Sequence, residues 1–269
     1  MRKAKKAGVT IVFAFVMSLM CVTASAGTKR YIVTSNHHYK TGVSTAGSWK
    51  SLNNAKKGLN KQPYQGEWYI YDTQEKEIVM PELNTRKEKL DKVVLWAVSM
   101  AQDPNHGYSC EGELTPNGQG LALTNNRWGK AGDYSCSTLV ATAYDLFCGI
   151  SFREICAENG YTIPVPGYGS QVGYSSKNII KAIKKSGKFK DVSSSLRKKG
   201  AAALKPGDIL VKKDKSHVVM VVGANAIVEA TSNEQGQEYT KSKPGDQTGH
   251  EIHVRGYYDG FYYAYRLKS

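Results

Sequence analysis

A chain of 269 residues, 41% hydrophobic and 22% charged, can build a core without disulfide staples. Its formal net charge of +14 lies in short basic clusters such as Lys56-Lys57, Lys184-Lys185 and Arg197-Lys198-Lys199. No RNA- or DNA-binding motif accompanies them, which argues against nucleic acid as the partner.

The first 26 residues read as a leader. Arg2, Lys3, Lys5 and Lys6 precede an apolar run from Ala7 to Val22, and Ala24-Ser25-Ala26 follows in the A-x-A pattern of a secretory signal peptide, with cleavage expected before Gly27. The run is short for a membrane span and no later stretch is long and apolar enough to be one, so a secreted protein without stable membrane insertion is expected. Loss of the four basic leader residues lowers the formal charge from +14 to +10. For an exported, monomeric protein, an anionic surface such as a cell-wall polymer explains that charge best. Cys110, Cys136, Cys148 and Cys156 remain after cleavage. An even count permits disulfides without requiring them, and the spacing matches no metal motif. No metal or cofactor is therefore expected.

Residues 27–81 read as a small α+β module. Tyr31–Thr34 reads as a strand, Ser51–Leu59 as a short helix with Leu52, Ala55 and Leu59 on one face, and Trp68–Tyr71 and Ile78–Met80 as two strands joined by a polar turn. The adjacent His37 and His38 fall in a polar loop and read as exposed. The order Ser51, Leu52, Asn54, Ala55, Lys56, then Tyr69, Tyr71 and Asp72 resembles small modules attached to secreted clostridial cell-wall hydrolases. That likeness implies wall targeting. Pro81 and a charged stretch separate the module from a second domain over 86–269.

The second domain opens with an amphipathic helix over about Arg86–Gln102, turning Leu90, Val93, Val94, Ala97 and Met100 inward. A long Gly- and Asn-rich loop, Pro104–Asp133, follows, and loops of that length in compact domains usually carry function. Tyr108 and Trp128 lie in it, either walling a substrate groove or forming the loop's own core. A helical run from Cys136 comes next, with Leu139, Val140, Ala143, Tyr144 and Phe147 at three- and four-residue spacing. Strands are expected at Asp208–Lys212, His217–Val222, Ala226–Thr231, Glu251–Tyr257 and Phe261–Leu267. Helices followed by an antiparallel sheet define an α+β class.

On its own stretch, Cys136 reads first as a small buried hydrophobe. Its place at a helix start also suits a nucleophile, because unpaired N–H groups and the helix dipole stabilise a thiolate and an oxyanion. Cys148, at the far end, lacks that advantage. A thiol nucleophile needs a base and a group to orient the base. His217 heads an apolar strand and shares a face with Val219 and Val221. A three-residue loop at Gly223–Asn225 sets Val219 opposite Glu229, placing Glu229 diagonal to His217 and within reach of it. His250 and His253 read as exposed strand residues.

The ordered set "SCST" at 135–138, Gly207-Asp208, "HVVMVVG" at 217–223 and "IVEA" at 227–230 resembles the NlpC-type peptidoglycan peptidases, papain-like cysteine hydrolases. His106-Gly107-Tyr108, Arg127-Trp128-Gly129 and "GDQTGHEIHVRGYY" at 245–258 are similar to a phage-lysin-like subgroup. The resemblance runs from about Leu90 to Leu267 and implies a papain-like fold with helices packed on an antiparallel sheet. It implies Cys136 as nucleophile, His217 as base and Glu229 as orienting group, acting on stem-peptide amides, commonly the D-glutamyl–diamino-acid bond. Some lysin-like relatives cut instead between muramic acid and L-alanine. A wall-binding protein with a dead site and an acyltransferase are the other readings of the same residues. Two positions depart from the pattern: Ser135 replaces the usual Asp, and Glu229 stands where the family has His, Asn or Gln.

Overall fold

The computed structural model describes residues 29–35, 45–104, 106–108, 134–165, 169–172, 175–231 and 251–269. The chain is a mixed α+β protein. Strands β1 (Tyr31–Thr34), β2 (Thr45–Trp49), β3 (Tyr69–Asp72) and β4 (Glu77–Met80) form an antiparallel sheet in the order β2-β1-β3-β4. Helix α1 (Leu52–Leu59) packs on one face of it, capped by the Ser51 hydroxyl, which accepts from the Asn54 amide. Strand β2 was not anticipated: its sequence, TAGSW, carries no alternating apolar pattern, and pairing with β1 creates it.

The module is not an isolated unit. Ile70 points into the small core with Val33 and Ala55, whereas Tyr69 and Tyr71 face the opposite way into the main core. Tyr69 meets Phe147 edge-on at 5.9 Å between ring centroids. The buried Trp96 indole donates to the Ser35 carbonyl at 3.0 Å. A marginal sheet of this size gains stability by burying its second face on the rest of the chain.

That second face rests on α2 (Arg86–Gln102) and α3 (Cys136–Cys148). Helix α2 begins with a capping box between Thr85 and Glu88 and buries Val93, Trp96, Ala97 and Met100. Trp96 joins the inward face that the spacing of its neighbours predicts. Helices α4 (Phe152–Glu158), α5 (Ser176–Ser186) and α6 (Ser193–Lys199), and a hairpin of β5 (Thr162–Val165) and β6 (Gly169–Val172), follow. The main sheet comprises β7 (Phe189–Asp191), β8 (Ile209–Lys212), β9 (Val218–Gly223), β10 (Ala226–Ala230), β11 (Ile252–Gly256) and β12 (Phe261–Leu267). Its order is β11-β10-β9-β8-β12-β7, antiparallel throughout. Val218 and Met220 face the helices, while Val219 and Val221 face a smaller cluster with Leu196 and Phe261.

Gly207 and Asp208 hold the sheet to α3. Tyr144 on α3 donates to the Gly207 carbonyl, and Gly207 sits at φ +86° with no room for a Cβ, which would lie 2.4 Å from Leu90 Cδ1. The buried Asp208 carboxylate accepts a two-pronged bond from Arg266, at 2.7 Å to Nε and 2.6 Å to Nη2. Among the described residues no helix is long and apolar enough to cross a membrane.

Candidate active site

Cys136 is the first residue of α3 and is buried. A capping box sets the helix start: the Ser135 hydroxyl accepts from the Thr138 amide at 3.2 Å, and the Ser135 amide donates to Thr138 Oγ1 at 2.7 Å. Ser135 thus acts as the helix cap. The Cys136 sulfur lies 3.6 Å from Ser176 Oγ at the start of α5.

Cys148 and Cys156 behave differently. Burial pushes the Cys148 thiol up to about 11 and the Cys156 thiol up to about 12. Burial thus disfavours the thiolate of both. Cys148 and Cys156 are free thiols. Cys110 lies outside the described residues, as do the leader, His37, His38, Trp128 and His250.

His217 immediately precedes β9, and its Nε2 lies 2.7 Å from Glu229 Oε2 on β10. The register follows a different turn from the one expected. Ala224 and Asn225 form a two-residue turn, and a bulge between Ala226 and Ile227 restores the pairing Val221↔Ile227 and Met220↔Val228. Continued by one residue, that pairing sets Val219 opposite Glu229. The three-residue loop is therefore replaced by a tighter turn plus a bulge, which shift the chain by the same amount.

Glu229 is 2% exposed and is surrounded by donors. Oε2 accepts from His217 and from the Tyr258 hydroxyl at 3.0 Å. Oε1 lies 3.2 Å from His253 Nε2 and 3.5 Å from Arg255 Nη1. Burial opposes ionisation of this carboxyl, but hydrogen bonds from His217, His253 and Tyr258 overcome it and hold its pKa far below the usual carboxylate range. An ionised carboxylate can only accept, so His217 Nε2 carries a proton and, in the neutral ring, Nδ1 carries the lone pair. Tyr258 is driven the other way: burial first, then the Glu229 charge, raise its pKa, and the Cys136 charge acts in the same direction. Tyr258 thus feels the charges of both Glu229 and Cys136.

Sequence reasoning missed three of these groups. His253, read as an exposed strand residue, is paired opposite Glu229 across β10 and β11. Arg255 and Tyr258 follow on β11 and in the turn before β12. The expected period-two alternation of β11 was legible, but its position beside β10 was not. Tyr108 forms a bridge with Tyr134, two residues before Cys136, and packs partly buried against the main core. No protein-family model matches the chain, and no curated protein matches it in sequence.

Proposed function

We propose that this protein is a secreted peptidoglycan amidohydrolase, a papain-like NlpC-type cysteine enzyme that cuts stem-peptide amides. The observation that carries this reading is the buried, ionised Glu229 at 2.7 Å from His217 Nε2, with Tyr258 feeling both its charge and that of a cysteine at a helix N-terminus. That combination supplies a base with a fixed tautomer and, separately, a thiol whose anion the α3 dipole favours.

In the proposed cycle, His217 Nδ1 takes the Cys136 proton and the sulfur adds to the amide carbonyl. The resulting imidazolium, stabilised by Glu229, returns the proton to the leaving amine as the C–N bond breaks and a thioester forms. Water, deprotonated by the same Nδ1, then releases the acid and restores the thiol. The positive charge of the chain supports attraction to anionic wall polymers.

Digestion of purified wall fragments, with products weighed by mass spectrometry, tests the proposal. New amines at the diamino acid mark the D-glutamyl endopeptidase. Free lactyl-muramic acid with an L-alanine amine marks the N-acetylmuramoyl-L-alanine amidase. Exchange onto an added amine marks an acyltransferase, and intact fragments with retained binding mark a wall-binding protein.

A further inference from the structure

A second imidazole and carboxylate cluster, made of residues outside the Glu229 set, lies at the module seam. Glu67, in the turn before β3, is 1% exposed and has its Oε1 2.8 Å from His106 Nε2. Asp103 caps the C-terminus of α2, and its Oδ2 lies 3.6 Å from the same nitrogen. All three residues are buried, and one ligand atom from each lies within 4.8 Å of the others. Glu67 Oε2 is also buried and has no hydrogen-bond partner. A buried carboxylate oxygen without a partner is costly, and a ligand that uses it would remove the cost.

We propose that Glu67, Asp103 and His106 form a structural site for a divalent transition cation, with Zn2+ the best fit, joining the N-terminal sheet to the end of α2. Zinc bonds of about 2.0–2.2 Å in a tetrahedral shell put neighbouring ligand atoms roughly 3.3 Å apart. The 2.8 and 3.6 Å separations of His106 Nε2 from Glu67 and Asp103 bracket that value, and all three ligand atoms lie within 4.8 Å of one another. His106 gives a nitrogen and Asp103 one oxygen, Glu67 takes a third corner through its carboxylate and can turn the orphaned Oε2 to the same ion, and water takes the fourth. A mixed nitrogen and oxygen shell favours zinc over calcium or magnesium, which prefer all-oxygen shells. Binding through Nε2 takes the neutral His106 tautomer that carries its proton on Nδ1, and the two carboxylate charges neutralise the ion.

The scaffold is held in place from both sides. Lys92 on α2 donates to the Gly66 carbonyl at 2.6 Å and the Trp68 carbonyl at 3.1 Å, gripping the backbone on each side of Glu67. The ammonium spends these bonds on the backbone and leaves Oε2 uncapped. On the other side, the His106 amide donates to the Asp103 carbonyl at 3.3 Å, which sets both side chains on one turn. Ligands fixed in this way need little reorganisation to bind.

The test uses the purified protein carrying Cys136→Ser and His217→Ala, so that the thiol and imidazole of the candidate active site contribute no zinc binding. After stripping with EDTA, zinc titration is expected to load one ion per chain. It should raise Tm by roughly 5–10 °C at a hundredfold excess over Kd. EDTA should reverse the rise, and calcium or magnesium should give none. Glu67→Gln keeps the side-chain shape and should weaken zinc binding by more than about 100-fold, beyond the 10–100-fold expected of an outer-shell partner. Asp103→Asn serves as the second variant if Glu67→Gln does not fold. Zinc that leaves Tm unchanged, or binds equally to these variants, overturns the proposal. A Tm indifferent to zinc but lowered by His106→Gln would instead identify a proton-bridged ion pair. The readouts are metal content and melting, so the result is independent of whether the protein hydrolyses peptidoglycan.

Discussion

Glu229 with His217 and Glu67 with His106 have nearly the same pair distance, 2.7 and 2.8 Å, and both carboxylates are buried. Their surroundings set them apart. Glu229 has donors on both oxygens, from His217 and Tyr258 on one and His253 and Arg255 on the other. Its charge is fully answered by protein, so it suits the role of a fixed acceptor that orients an imidazole. Glu67 answers one oxygen with His106 and leaves the other without a partner, while Lys92 bonds to the neighbouring backbone carbonyls. The same two residue types thus suit an orienting pair where acceptors are saturated, and a ligand set where acceptor capacity remains.

Several variants can break or sharpen that contrast. The largest effect is expected at the thiol and its base. Cys136→Ser and His217→Ala should each lower hydrolysis of wall fragments by at least about 1000-fold, since members of a catalytic set act as a unit. Circular dichroism should report an unchanged fold. Parental turnover in either variant would sink the assignment and leave Glu229 as a purely structural acceptor.

Truncation to begin at Arg86 comes next. Sequence alone predicts that such a chain keeps turnover on soluble fragments, because Cys136, His217 and Glu229 all lie beyond the boundary. The packing predicts otherwise. Removal of Tyr69 uncovers part of Phe147, and removal of Ser35 takes the acceptor from the Trp96 indole. Each large side chain so exposed costs up to about 1.5–3 kcal/mol. The truncated chain should melt earlier and lose activity even on soluble fragments. If it keeps both, the module contributes only wall targeting, and salt should then weaken wall binding of the parent but not its turnover.

Glu229→Gln should reduce turnover by about 10- to 100-fold, because an amide of the same shape still accepts from His217 but no longer balances an imidazolium. It should also change the response to acid. The Glu229 carboxyl titrates lower when folded than when unfolded. Its stabilising contribution is therefore complete above the unfolded value of about 4.3, and is lost progressively as pH falls below it toward the folded value. Melting of the parent measured below that pH should fall more steeply than melting of Glu229→Gln. Equal slopes would show that the carboxylate is no better accommodated folded than unfolded.

Tyr258→Phe should have the smallest effect. It removes one of the donors to Glu229 and leaves His217, His253 and Arg255 in place. A stability loss of about 1 kcal/mol and a few-fold loss of turnover are expected. The variant should shift the acid limb of the melting profile upward in pH, because a carboxylate with fewer donors titrates higher. An unchanged limb would mean that the other donors saturate Glu229 without Tyr258.

Local order determined what repeats along the chain. The 3.6-residue spacing of Val93, Ala97 and Met100 marked α2 over Arg86–Gln102, and the alternation ending in Phe261–Leu267 marked β12. The small loop at Gly223–Asn225 was enough to bring Glu229 toward His217, because a turn and its bulge conserve register even when their division is misjudged. Strands without alternation, such as β2 and the short β7, left no such mark. The partners of each carboxylate were settled only in three dimensions. His253 reaches Glu229 because β11 pairs beside β10, and Glu67 reaches His106 because β3 turns Tyr69 and Tyr71 onto α2 and α3. Periodicity reports which face of an element is apolar, whereas sheet order and the seating of one sheet on distant helices arise from long-range packing, and that packing brings 67 to 106 and 253 to 229.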